Sequence, residues 1–70
     1  MDMRKLVGDN VARIRAKRGL TQEQLANLSG FSQQYISGLE TGKRNPTIVT
    51  IYELANALGI DFRELLRPQR

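Results

Sequence analysis

Four glycines set the limits on how this chain can fold. Gly19, Gly30, Gly42 and Gly59 each follow a stretch with the three-and-four spacing of an amphipathic helix, where a helix closing in the left-handed conformation favours a residue without a Cβ. Within five residues of each stands a side chain suited to opening the next helix: Thr21, Ser32, Thr47 and Asp61. Thr21 with Gln24, and Asp61 with Glu64, have the spacing of capping boxes. Pro46 stops the segment before it, because the residue preceding a proline is pushed out of the helical region. This punctuation predicts five short helices: Met3–Lys17, Gln22–Leu28, Gln33–Thr41, Ile48–Leu58 and Phe62–Leu66. Nothing alternates with period two, so the expected fold class is all-α, a compact five-helix domain.

The 70 residues make one domain, with residues 67–70 expected as a frayed end. A domain this small buries only about 60% of the surface its unfolded chain exposes, so its apolar residues must share one core. The spacing assigns to that core Leu6, Val7, Val11 and Ile14 of the first helix, and Leu25, Ala26 and Leu28 of the second. Ile48, Ile51, Tyr52, Leu54, Ala55 and Leu58 form one face of the fourth helix, and Phe62, Leu65 and Leu66 close the bottom. Ile60, Phe62, Leu65 and Leu66 exceed what closing the core requires, and part of this group is expected to form a small symmetric dimer interface.

The chain has no cysteine and no histidine, which removes disulfides, thiolate metal sites and the commonest general base together. No phosphate-binding loop, nucleophile elbow, acidic metal box or paired-carboxylate spacing is present, so neither an enzyme nor a metal or cofactor is expected. Eleven Lys and Arg against seven Asp and Glu leave a net charge of +4, which points to an acidic partner, nucleic acid before a membrane surface. No apolar run approaches a membrane span, and Asp2, Arg4, Lys5 and Asp9 stand where a signal peptide would be apolar. A cytoplasmic, reducing location fits such a chain.

The stretch "SGFSQQYISGLETGKRNP" carries the candidate site. At about 100° per residue, Gln33, Gln34, Ser37, Gly38 and Thr41 fall within an arc of about 140°, and Tyr35, Ile36 and Leu39 lie opposite. The outward arc is polar, small and uncharged, where a merely solvated helix face would carry Lys, Glu or Arg. Amides and hydroxyls are what a helix needs to read base edges; a glutamine amide matches the N6 donor and N7 acceptor of adenine. Gly38 is costly inside a helix and offers clearance, either to bases or to a neighbouring helix. Lys43, Arg44 and Asn45 follow where a groove wall would pass, suited to phosphate contacts that position without specifying. Gln22 opens the preceding helix, whose free N–H groups favour an anion.

The run "GLTQEQLANLSGFSQQYISGLETGKRNPT", continued by "IYELANALGIDFRELL", closely resembles the helix-turn-helix domain of the phage repressor and Cro family of transcriptional regulators. The similarity covers Val11 to Leu66, with the motif itself at about residues 21–41. It implies that Gln22–Leu28 crosses the DNA backbone and Gln33–Thr41 is the recognition helix. By the family pattern Gln33, Gln34, Ser37 and Gly38 face the bases, although Gly38 stands where relatives carry a longer amide. The phosphate set is Gln22, Tyr35, Thr41, Lys43, Arg44 and Asn45, with the Tyr35 ring packed and its tip at the backbone. The Gln33 amide is expected to be held by Gln22. Arg15 and Glu40 match a partly buried ion pair between the first and third helices, and Glu40 does flank the apolar face beside Ile36, where an unpaired carboxylate would be costly. The resemblance further implies double-stranded DNA as partner, a homodimer, and a near-palindromic operator. An antitoxin-like or restriction–modification controller role, with a toxin or polymerase as protein partner, is the alternative.

Overall fold

A computed structural model describes residues 1–68. It contains four α-helices, α1 (Met3–Lys17), α2 (Gln22–Ser29), α3 (Gln33–Glu40) and α4 (Ile48–Leu58), followed by a single 3-10 turn, Phe62–Leu65. The expected fifth helix is therefore one short turn. Its cap explains part of this: Asp61 accepts from the Arg63 N–H at 2.9 Å, and Glu64 pairs with Arg67 instead of reaching back to close a capping box. Contact with the Arg63 guanidinium and N–H holds the Asp61 carboxyl down to about 2.

The other caps follow from their residues. Thr21 and Gln24 form a complete capping box, at 3.0 and 2.8 Å. Ser32 accepts from Tyr35 N–H and Thr47 from Thr50 N–H, so α3 and α4 each start from a fixed residue. Gly30, with φ of 84°, closes α2 in the left-handed conformation and lets the chain turn into α3 within three residues.

α1 packs on α3, α2 packs on α3 and α4, and the 3-10 turn lies against α1 and α4. Val7, Val11, Ile14, Leu25, Ala26, Ile36, Leu39, Ile51, Leu54, Ala55, Leu58 and Leu65 form the buried core. Six expected core residues lie outside it: Leu28, Ile48 and Tyr52 are more than half exposed, Phe62 is also exposed, Leu6 is half-buried at the start of α1, and Leu66 only packs against the core's edge. On α4 the buried face is the strip Ile51, Leu54, Ala55 and Leu58, while Ile48, Val49 and Tyr52 turn outward and line a shallow apolar depression with Phe62. Leu65, expected at a dimer interface, is fully buried and unavailable to a partner; Ile60 and Leu66 are half-buried against the core.

Asn10 is the buried polar residue of the core. Its amide donates to the carbonyls of Leu65 and Arg67, each at 2.9 Å, and so ties the C-terminal segment to α1. Arg67, expected in a frayed end, is held by this bond and by its ion pair with Glu64; Gln69 and Arg70 lie outside the described residues.

Candidate nucleic-acid interface

Gln33, Gln34, Ser37, Gly38 and Thr41 of the α3 region form one open polar groove of about 470 Å³ with Gln22 and Lys43. The groove forms because Ile36 and Leu39 are pulled fully into the core, which rotates the uncharged arc outward. Gln33 and Gln34 are exposed at the N-terminal end of α3, and the lysine stands at the other end. The site thus presents amides where sequence can be read and a cation where a backbone can be gripped.

A largely buried network joins α3 to α1 and α2. Arg15 Nε donates to Glu40 Oε2 at 2.7 Å and Arg15 Nη2 to Glu40 Oε1 at 3.1 Å, a two-pronged bridge from α1 to the end of α3. Arg15 Nη1 also donates to the Leu20 carbonyl at 2.7 Å, and the Glu40 carboxylate is almost wholly buried. The hydrogen bond to Glu40 raises the Arg15 pKa above its ordinary value. Gln22 joins the network: its amide nitrogen donates to Glu40 Oε1 at 3.0 Å. The Gln22 amide, expected to hold Gln33, turns its donor to the carboxylate, the stronger acceptor, and ties α2 to α3.

Three of the residues expected at phosphates have neighbours of their own within the chain. The Thr41 hydroxyl donates back to the Ser37 and Gly38 carbonyls of its own helix, both at 3.1 Å, so its proton is engaged there. Asn45 lines a separate depression with Met3, Arg4, Val7, Pro46, Ile51 and Leu66, away from the groove. Arg44 lies with its guanidinium carbon 5.6 Å from the centre of the Tyr35 ring. Tyr35 is half-buried, and its ring is tilted against Phe31 at 5.1 Å.

A short helix capped by Ser32 and presenting an uncharged face beside Lys43, set on α2 through a sharp glycine turn, defines a helix-turn-helix DNA-binding domain. Residues 11–65 match the model of the helix-turn-helix family, and the chain belongs to that family. It is 63% identical over 68 residues to the HTH-type transcriptional regulator y4dJ of Sinorhizobium fredii, covering 97% of this chain and 88% of that protein. It is 39% identical over 69 residues to the control protein C.SmaI of Serratia marcescens, covering 99% and 82%. Among solved structures it resembles the restriction-modification controller protein C.AhdI from Aeromonas hydrophila, with 44% identity, coverage of 89% and 94%, and a TM-score of 0.86. No helix among the described residues is long and apolar enough to cross a membrane.

Proposed function

We propose that the chain is a regulator of transcription that acts as a homodimer and reads a near-palindromic operator through the major groove. The observation that carries this reading is the groove on α3, where Gln33, Gln34 and Ser37 share an uncharged face next to Lys43. In this docking mode the N-terminal residues of the recognition helix reach base edges, which assigns base reading to Gln33 first and to Gln34 and Ser37 beside it. Lys43 and Arg44 take the phosphates, and Gln22 brings the start of α2, with its free N–H groups, to the backbone.

The second copy docks on the outward apolar face of α4, where Ile48, Val49 and Tyr52 stand exposed with Phe62. Of the residues expected at the interface only Phe62 belongs to this patch. A face of this kind suits a small interface that is completed when both copies sit on one operator. The likeness to C.SmaI and C.AhdI supports the second reading, a controller of a restriction–modification gene pair, which differs in the genes served and uses the same site.

Two variants separate reading from gripping. Gln33→Ala is expected to cost about 1–3 kcal/mol on the preferred duplex and little on random DNA, because a bidentate pair with one base is lost. Arg44→Ala is expected to weaken both duplexes alike and to reduce the magnitude of the salt slope by about one for each phosphate released. Fluorescence anisotropy across a salt series measures both. A Gln33→Ala protein with the wild-type ratio of specific to random binding would remove Gln33 from the reading set.

A further inference from the structure

Gly38 has no backbone reason to be glycine. It lies inside α3, and it is absent from the glycines with positive φ. A Cβ built at this position would meet Arg44 Cγ at 3.1 Å, Arg44 Nε at 3.2 Å and Arg44 Cδ at 3.6 Å. These three nearest neighbours all belong to one exposed side chain; none is backbone or core. The Lys43 N–H donates to the Gly38 carbonyl at 2.9 Å, which folds the loop back on α3 and brings Arg44 across it. Beyond the gap over Gly38, the guanidinium lies 5.6 Å from the Tyr35 ring centre, within the range of a cation–π contact. Among the described residues Arg44 has no carboxylate partner, so its charge is available at the edge of the reading face.

We propose that Gly38 is the seat of Arg44: the missing Cβ lets the arginine lie across α3 against Tyr35, and Gly38 serves DNA recognition through Arg44, not by its own approach to the bases. This rests on the DNA-binding reading above. A free arginine samples many rotamers and loses them on gripping a phosphate, whereas a seated one has lost part of that freedom already. Gly38 is then a positioning residue, and Tyr35 is the back of the seat.

Binding of one operator duplex by the wild type, Gly38→Ala, Arg44→Ala and the double variant tests the dependence. Each single change is expected to weaken binding by roughly 3–10-fold, and the double variant to bind no worse than Arg44→Ala alone, the non-additivity of two residues acting as a unit. An equal loss from Gly38→Ala in both backgrounds would overturn the proposal, since the methyl would then be obstructing DNA directly. The seat is read separately without DNA. The Arg44 δ-proton resonances, shifted by the Tyr35 ring in the wild type, are expected to move toward exposed values in Gly38→Ala; unchanged shifts would overturn it. The melting temperature of Gly38→Ala is expected to hold or rise, because alanine is the better helix former, and a large fall would assign Gly38 to packing instead. If the wild type bound no DNA, the regulator reading would fall and the recognition role of Gly38 with it, while the resonance shifts still report whether the seat exists.

Discussion

Gly8→Ala is expected to destabilise the domain by about 2 kcal/mol or more, and to lower its melting temperature by roughly 10 °C or more. Gly8 is buried in the middle of α1, on the side that meets α3. An added methyl would overlap the Leu39 carbonyl oxygen and come within 3.2 Å of the Glu40 Cα and carbonyl carbon. These are backbone atoms at the end of α3, so no side-chain rotation relieves the clash and the two helices must separate. Overpacking costs about 1–3 kcal/mol, occasionally more; overlap with a backbone oxygen puts Gly8→Ala at or above the top of that range, and the better helix propensity of alanine returns only about 0.5–1 kcal/mol. A domain of this size has a total stability of about 4–10 kcal/mol, so the loss is a large share of it. Thermal unfolding by circular dichroism measures the effect. A melting temperature within about 3 °C of the wild type would contradict the close approach of α1 to α3. The same substitution at Gly38, whose nearest neighbours all belong to one exposed arginine side chain that can shift without moving the backbone, is the internal control.

Glu40→Ala should cost about 2–3 kcal/mol, the second large effect. The carboxylate accepts from Arg15 twice and from Gln22 once, and its removal leaves Arg15, whose side chain is only about one-fifth exposed, with the Leu20 carbonyl alone. The cost is the desolvated charge left behind more than the loss of a net attraction. It follows that Arg15→Met combined with Glu40→Leu should recover most of the stability that Glu40→Ala loses, because apolar residues of similar size often replace a buried pair without penalty. DNA discrimination should not recover with it, since the network joins α1, α2 and the end of α3 and so sets the angle at which Gln33 is presented. Denaturant unfolding and operator binding of these variants separate the two quantities. A double variant restored in both would show that the ion pair has no part in aiming α3.

The parts of the fold that were legible are those written locally. The bounds of α1 and α4 follow from their periodicity, and Thr21, Ser32 and Thr47 cap the helices they precede, because a cap oxygen and the backbone N–H that donates to it lie within three residues of each other. What depends on distant partners was not legible. Asn10 sits in the apolar stripe of α1, between Val7, Val11 and Ile14, and only the arrival of carbonyls from residues 65 and 67 explains an amide there. The apolar positions of α4 form an arc wider than one packing face, and periodicity could not say that Ile48 and Tyr52 would be the side left outside. At the candidate site the helical wheel grouped Gln33, Gln34, Ser37 and Gly38 correctly, since α3 is regular. The course of Arg44 over Gly38 belongs to a loop, where side-chain direction has no period to reveal it. Gln22 was placed near the recognition helix, but its acceptor was decided by a carboxylate 18 positions along the chain.

The most direct test of the account is selection of bound duplexes from a random pool, followed by sedimentation of the protein on the enriched sequence. The account predicts a twofold-symmetric sequence carrying two chains, with half-sites about one helical turn, or roughly 10 base pairs, apart. It also predicts that Gln33→Ala relaxes one symmetric pair of positions in that sequence. Absence of enrichment, or an asymmetric sequence occupied by a single chain, would contradict it.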